Sequence, residues 1–456
     1  MTKSALPKGF VRTAVALAIP IAMQNLLTSC ASLIDTAMIV PLGNNAVAAI
    51  GVAGRFTFLL NVMAFGFCSG SATLISQFWG IDDRKGIHHS YGVALSASMA
   101  LSIVFALMLR LCPALCVSIF GPEAVVAELA EEYLKVLAYA VPFMMFSQVT
   151  CAALRATEKV SVPLISSLLS VCVNTTLNYC LIGGNFGFPA LGVRGAAIAT
   201  AIGAAAQAIV VLLFLLFGDN AVRSSIQTMF GFSKPFVKKF VHTAAPVLLN
   251  ESMWAIGTNI YVMVLARQST EDYSGYAIFE TLQQLFFVFF VGICHASAIM
   301  VGKATGRGER EEAYATAKLF LIMTPVAGVV LGAILIAVRN PLLSLFAIET
   351  EGARLTASNL LLFYGIWIGI RMIQYTSICG IFRAGGDTRI GCIYDMGALY
   401  LVGIPAVCVA GLVLHLPFVW IVVAMFVGED VPKCILCLRH FKTKKWIKVL
   451  TADHVE

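Results

Sequence analysis

Charge is what this chain has least of. Asp, Glu, Lys and Arg make up 12% of its 456 residues, where a globular domain carries about 25%. Apolar residues reach 59%. Too few charges remain to clothe a soluble fold of that length. The composition therefore excludes a cytosolic enzyme, a nucleic-acid binder and a disulfide-stapled secreted domain. Catalytic equipment is equally thin. There is no HExxH pair, and His295 is the single histidine of its apolar run, so a membrane-embedded enzyme finds no metal cluster or nucleophile–base pair. Cys434 and Cys437 form a CxxC without a second ligand pair nearby. They and the other cysteines, thirteen in all, read as small apolar residues.

Long uncharged runs are what the chain has instead. A spanning helix takes about 20 apolar residues. The runs predict helices near 14–39, 52–77, 91–111, 133–154, 163–183, 195–217, 241–266, 276–301, 315–338, 357–382, 392–413 and 416–438. That is an all-α polytopic membrane protein of twelve transmembrane helices in two sets of six. Continuous rather than alternating apolar runs exclude a membrane β-barrel. The first run is too long for a signal peptide and no small-residue cleavage site follows it, so it reads as an uncleaved helix. The implied organisation is an N-terminal lobe over 1–217, a polar linker over 218–239, a C-terminal lobe over 240–438 and a basic tail over 439–456. With the N-terminus cytoplasmic, 21 of the 31 basic residues fall in cytoplasmic segments and 5 in the opposite loops. That bias sets both termini in the cytoplasm of a cell (inner) membrane protein and explains the net charge of +7 without nucleic acid. The stretch from Arg439 to Lys448, with Trp446, reads as a basic interfacial anchor.

The two sets of six repeat one another. Pro20, Gln24 and Asn25 align with Pro246, Asn250 and Glu251 at a shift of 226 residues, as do Gly66, Ala72 and Gly80 with Gly292, Ala298 and Gly306. After a two-residue slip, Pro113 pairs with Pro341 and Arg155-Ala156 with Arg383-Ala384. Six helices per copy keep both copies in one orientation. The repeat is parallel, as in a large class of two-lobed secondary transporters.

Local patterns then carry a resemblance. They are Ile19-Pro20, Leu33-Ile34-Asp35-Thr36-Ala37-Met38, Ala153-Leu154-Arg155-Ala156-Thr157-Glu158-Lys159, Asn174-x3-Asn178-Tyr179 and Pro189-Ala190-Leu191-Gly192-Val193-Arg194-Gly195-Ala196-Ala197. The second half continues with Pro246-Val247-Leu248-Leu249-Asn250-Glu251 and Phe382-Arg383-Ala384-Gly385-Gly386-Asp387-Thr388. In order and spacing, over essentially the whole chain, this resembles the multidrug and toxic compound extrusion (MATE) family, prokaryotic type. The resemblance implies a V-shaped pair of six-helix bundles exchanging substrate outward against inward H+ or Na+.

Intramembrane ionisable groups are costly, so each is a candidate site. Asp35 shares a helical face with Ser32, Thr28 and Gln24. The fifth helix carries Ser167, Ser170, Asn174 and Asn178, and the sixth carries Thr200, Gly203 and Gln207. These stripes predict a polar cavity with Asp35 as its deep acid. The repeat maps Asp35 onto Tyr261, and Asn174 and Asn178 onto Val402 and Ala406. The second lobe therefore lacks the set, which marks a task performed by one lobe. Desolvation favours the neutral form of a carboxylate, so such an acid can exchange a proton. The oxygens of Asp35, Asn174, Asn178 and Thr200 suit Na+ equally, with Asp35 and Asn178 as its metal ligands. In the resembled family the first-helix acid and the fifth-helix Asn pair occupy the cation site. Pro20 removes a backbone hydrogen bond and lets the first helix bend.

The C-terminal lobe offers Glu251, Thr258, Glu280, Gln283, Gln284, Arg371, Gln374 and Tyr375. Arg371 is expected to find Glu251 or Glu280. Some members of the resembled family bind Na+ at an acid of the tenth helix, where this chain has Met372. Gln24, Glu251, Glu280, Gln284, Arg371 and Tyr375 are the candidate substrate-binding residues, with Phe286, Phe287 and Phe289 as possible adaptable lining. The expectation is a monomeric, cation-coupled antiporter exporting amphipathic organic cations, drugs or related metabolites, with no cofactor beyond its coupling ion. The alternatives are a lipid-linked precursor flippase, for which only Arg55 and Arg371 would hold a pyrophosphate, and a membrane-embedded enzyme.

Overall fold

The computed structural model describes residues 9–346, 348 and 350–451; Lys3 and Lys8 of the basic N-terminal segment lie outside them. Among the described residues there is no strand, and twelve long helices carry the chain. They are α1 (Phe10–Ile39), α2 (Asn44–Gly80), α3 (Arg84–Leu111), α4 (Ala124–Ala156), α5 (Ser161–Gly183) and α6 (Gly192–Phe217). Then follow α7 (Lys234–Leu265), α8 (Thr270–Gly306), α9 (Arg310–Leu343), α10 (Glu351–Phe382), α11 (Thr388–Val413) and α12 (Phe418–Lys442). Ten of these are long and apolar enough to cross a membrane. The other two, α7 and α12, carry more polar groups, α12 placing Glu429, Asp430 and Lys433 in its middle.

Most helices outrun the apolar stretches that predict them, and three of them start at polar caps beyond those stretches. Asp83 accepts from the Gly86 N–H to start α3, Ser269 from Asp272 to start α8, and Thr350 from Ala353 to start α10. Prolines stand inside α1, α4, α7, α9 and α12. α10 and α11 include wider π-turns at Thr376–Phe382, Leu399–Gly403 and Val409–Val413, a distortion that often marks functional helices.

The chain divides into two compact units. One comprises residues 23–75 and 82–241; the other comprises the described chain up to residue 22, residues 76–81 and residues 242 onward. In the first unit, α6 packs along both α4 and α5, and α3 along α4. Leu109, Leu134, Leu137 and Met145 are buried between them. The polar segment after α6 folds back onto α3, where a ring nitrogen of His88 lies 3.1 Å from the Ala221 carbonyl. In the second unit, α10 packs on α8, α9 and α12, and Phe279, Tyr364 and Phe426 meet at ring-centroid distances of 5.8–6.4 Å.

The repeat shows itself in backbone contacts. A Cβ at Gly80 would overlap the Lys303 carbonyl oxygen, and one at Gly306 would overlap the Gln77 carbonyl oxygen. The 226-residue shift carries Gly80 onto Gly306 and Gln77 onto Lys303, so each contact is the image of the other. Only glycine lets the two backbones approach so closely.

The basic segment 439–448 corrects one expectation. It is not an interfacial anchor, because Trp446 is fully buried. Its ring lies 5.8 Å from Phe441, and its Nε1 donates to the Phe441 carbonyl. Lys448 N–H donates to the Gly385 carbonyl at 2.7 Å. The Gln77 amide is spanned on both sides. Its Nε2 donates to the Ala384 and Lys448 carbonyls, and its Oε1 accepts from the Leu450 N–H. A Trp among lysines has the composition of a membrane-surface segment, but these long-range backbone partners draw it inward.

Candidate functional site

In the first unit the predicted polar stripes meet. Along α5, Ser167 Oγ accepts from Gln24 of α1 at 3.0 Å and from Gln207 of α6 at 3.1 Å. One turn on, Ser170 Oγ donates to the Gly203 carbonyl at 2.8 Å. Two further turns bring Asn174 and Asn178 to Asp35. Asn178 Nδ2 donates to Asp35 Oδ1 at 2.6 Å. The hydrogen-bond network sets the Asn174 amide with its nitrogen toward the same oxygen at 2.8 Å and its own oxygen on the Thr200 backbone N–H at 3.2 Å. Tyr133 of α4 reaches this cluster beside Thr200, a residue that the sequence pattern missed. It sits alone on α4, so no stripe announced it.

Burial sharpens the picture. Asn174 and Asn178 are 8% and 1% exposed. Asn178 Oδ1 is buried and has no hydrogen-bond partner among the described residues. The cage thus pairs one carboxylate with two amides and leaves one amide oxygen to spare. Of the α1 stripe, Gln24 and Asp35 turn to the cluster, whereas Thr28 returns its hydroxyl to the Gln24 carbonyl on its own helix. Gln24 also accepts from Arg155 Nη1 at 3.1 Å.

The second unit is built on ion pairs. Arg371 does not find Glu251 or Glu280; its Nη1 lies 3.1 Å from Asp430 Oδ1. Asp430, fully buried, also accepts from Trp367 Nε1 at 2.8 Å and Gln374 Nε2 at 3.2 Å. Glu251 is instead held by Arg383 Nη2 at 2.6 Å. The repeat aligns Arg383 with Arg155, and Glu251 with the residue that follows Gln24. At the end of the fourth helix of each half, the aligned arginine is met by a polar side chain from that half's first helix. A third cluster joins Lys433 to Asp395 at 2.5 Å and to Glu429 at 2.6 Å. Sequence reasoning missed Asp395, Glu429 and Asp430. Three charges within five residues of one spanning run were the signal available. Glu280 and Gln284 are exposed on one face of α8, and Phe287 lies edge-on to Tyr375 at 4.8 Å.

Two six-helix halves repeated in parallel, with a half-buried carboxylate held by two buried amides in one unit and internal ion pairs in the other, define a membrane transporter rather than an enzyme. The family model MatE matches residues 20–180 and 246–426, and the chain belongs to that family, the MATE transporters. Among curated relatives, it is 24% identical to the probable multidrug resistance protein NorM of Thermotoga maritima over 100% of this chain and 98% of the relative. It is 24% identical to the probable multidrug resistance protein YoeA of Bacillus subtilis over 85% of this chain and 84% of that one. A crystal structure of a MATE protein in complex with MaL6 superposes with a TM-score of 0.85 at 18% identity, covering 99% of this chain and 100% of the other. A transporter of the MOP superfamily from Pyrococcus furiosus superposes with a TM-score of 0.86 at 17% identity, covering 96% and 99%.

Proposed function

We propose that this chain is a cation-coupled antiporter of the cell membrane, exporting amphipathic organic cations, drugs or related metabolites by alternating access. Asp35 is the coupling acid, and Asn174, Asn178 and Thr200 form its cage. The observation that carries this reading is the Asp35 carboxylate meeting two buried amides while Asn178 Oδ1 stays unpaired. The cage accommodates either charge state. With Asp35 ionised, both amide nitrogens donate to it. With Asp35 protonated, the Asn174 amide turned over presents its oxygen to the carboxyl O–H. A Na+ ion would instead take Asp35 and the oxygens of Asn178, Asn174 and Thr200 as ligands, the hard oxygen donors that such a cation prefers.

Gln24, Glu251 and Arg371 hold helices to one another in this scheme. Glu280, Gln284 and Tyr375, with Phe287, are the substrate contacts. The multidrug names of the relatives accord with such cargo. The bias of basic residues favours cytoplasmic termini, and the protein acts as a monomer.

The test is reconstitution. In proteoliposomes loaded with a fluorescent organic cation, a pH gradient or a Na+ gradient imposed separately should drive uphill export, and removing both should abolish it. Equilibration that ignores both gradients would refute the coupling. Pro20 bears on the same cycle, since α1 changes unit two residues beyond it, after Ala22. Pro20→Ala restores a helical hydrogen bond and stiffens α1. Its initial export rate should fall severalfold at unchanged protein level, and an unaltered rate would show that the bend has no part in transport.

A further inference from the structure

Lys433 is 1% exposed, midway along α12, and its ammonium touches two carboxylates: Asp395 from α11 and Glu429 one turn back on its own helix. The arginines inside the second unit differ from it: Arg371 is taken by Asp430 and Arg383 by Glu251, whereas Lys433, almost fully buried, faces two carboxylates. A second observation marks the same place. Asn250 Nδ2 donates to the outer oxygen of Asp395 at 2.8 Å, while Asn250 Oδ1 is buried without a hydrogen-bond partner among the described residues.

Remove the ammonium, and what remains is two carboxylates and an amide oxygen in a buried space. The first unit holds the same chemistry, a carboxylate bonded to an Asn whose own oxygen is spare, with no lysine in contact. An ammonium is a compact point charge. It satisfies a carboxylate pair as a small monovalent cation would, but it cannot leave.

We propose that Lys433 is a resident cation: its ammonium fills a place built from Asp395, Glu429 and Asn250 that would otherwise bind Na+, and so closes the second unit to that ion. Any Na+ response of the native protein then belongs to the Asp35 cage. This inference does not depend on Asp35 being the coupling acid. It is tested in an Asp35→Asn background, where that cage has lost its charge, so the two readings fail separately.

Lys433→Met keeps the side-chain stem and removes the charge. In detergent, Asp35→Asn should melt at the same temperature in sodium, potassium and choline chloride. Asp35→Asn/Lys433→Met should gain stability in sodium alone, saturably, by about 5 °C for a site filled well above its dissociation constant. Adding Asp395→Asn to that variant should abolish the sodium effect, because one of the two carboxylates has lost its charge. If Lys433→Met is recovered only when prepared in sodium, the proposal is also supported. If it melts identically in all three salts, or is recovered in none of them, Lys433 is merely a counter-charge of the fold and the proposal is wrong.

Discussion

Asp35→Asn should yield a folded protein that no longer exports against a gradient. The substitution keeps shape and keeps an oxygen where Asn178 Nδ2 donates at 2.6 Å, so the contact between α1 and α5 survives. What it removes is the ability to change charge. A coupling ion moves a two-state equilibrium only through different affinities for the two states, and an amide that neither gains a proton nor offers a negative charge supplies no such difference. Uphill export should drop to the level of protein-free liposomes under both pH and Na+ gradients. Equilibrium binding of the fluorescent cation should persist, because the substrate contacts assigned to α8 and α10 are untouched. Export by Asp35→Asn at the native rate under either gradient would remove Asp35 from the coupling step.

The largest effect on stability should come from Asp430→Leu. This carboxylate, fully buried, accepts from Arg371, Trp367 and Gln374. Its loss strands a guanidinium, an indole N–H and an amide in the interior of the second unit. Breaking a buried pair from one side costs about 3–5 kcal/mol. Replacing both partners leaves no orphaned charge and is often close to neutral. Asp430→Leu should therefore lower the melting temperature strongly, and Arg371→Met/Asp430→Leu should recover part of it. The Trp367 indole and the Gln374 amide still lack their acceptor in the double variant, at about 1–3 kcal/mol each, and the contact of the Arg371 guanidinium 4.8 Å from the Phe426 ring is lost, so recovery should be incomplete. A double variant as unstable as the single one would mean that the packing of the side chains, rather than their charge, is what the site requires.

The two sites differ in how far they could be read from sequence, and the reason is geometric. Ser167, Ser170, Asn174 and Asn178 recur at helical spacing on one helix, so periodicity alone places them on one face. Their partners, Gln24, Asp35, Gly203 and Gln207, are likewise spaced along single helices. The ion pairs of the second unit have no such signature. Arg371 and Asp430 come from α10 and α12, 59 residues apart, and nothing in either helix says that the two are neighbours. The expected partners Glu251 and Glu280 were the acids visible on helices already singled out. Asp430 lay in a run counted for its apolar length. The twelve helices themselves were legible, since apolar length in a bilayer is a one-dimensional property. Their ends were not, because caps such as Asp83 and Ser269 lie beyond the apolar runs.

The Gln77 amide places a demand on synthesis. Its partners Ala384, Lys448 and Leu450 follow it by 307, 371 and 373 residues. At about 5–20 residues per second, the last of them leaves the ribosome some 20–75 s after Gln77 does. Until residue 384 is made, one of the most deeply buried polar side chains of α2 has none of these bonds. A chain that stopped short of residue 448 would keep only the Ala384 partner and leave the Gln77 oxygen without its backbone donor.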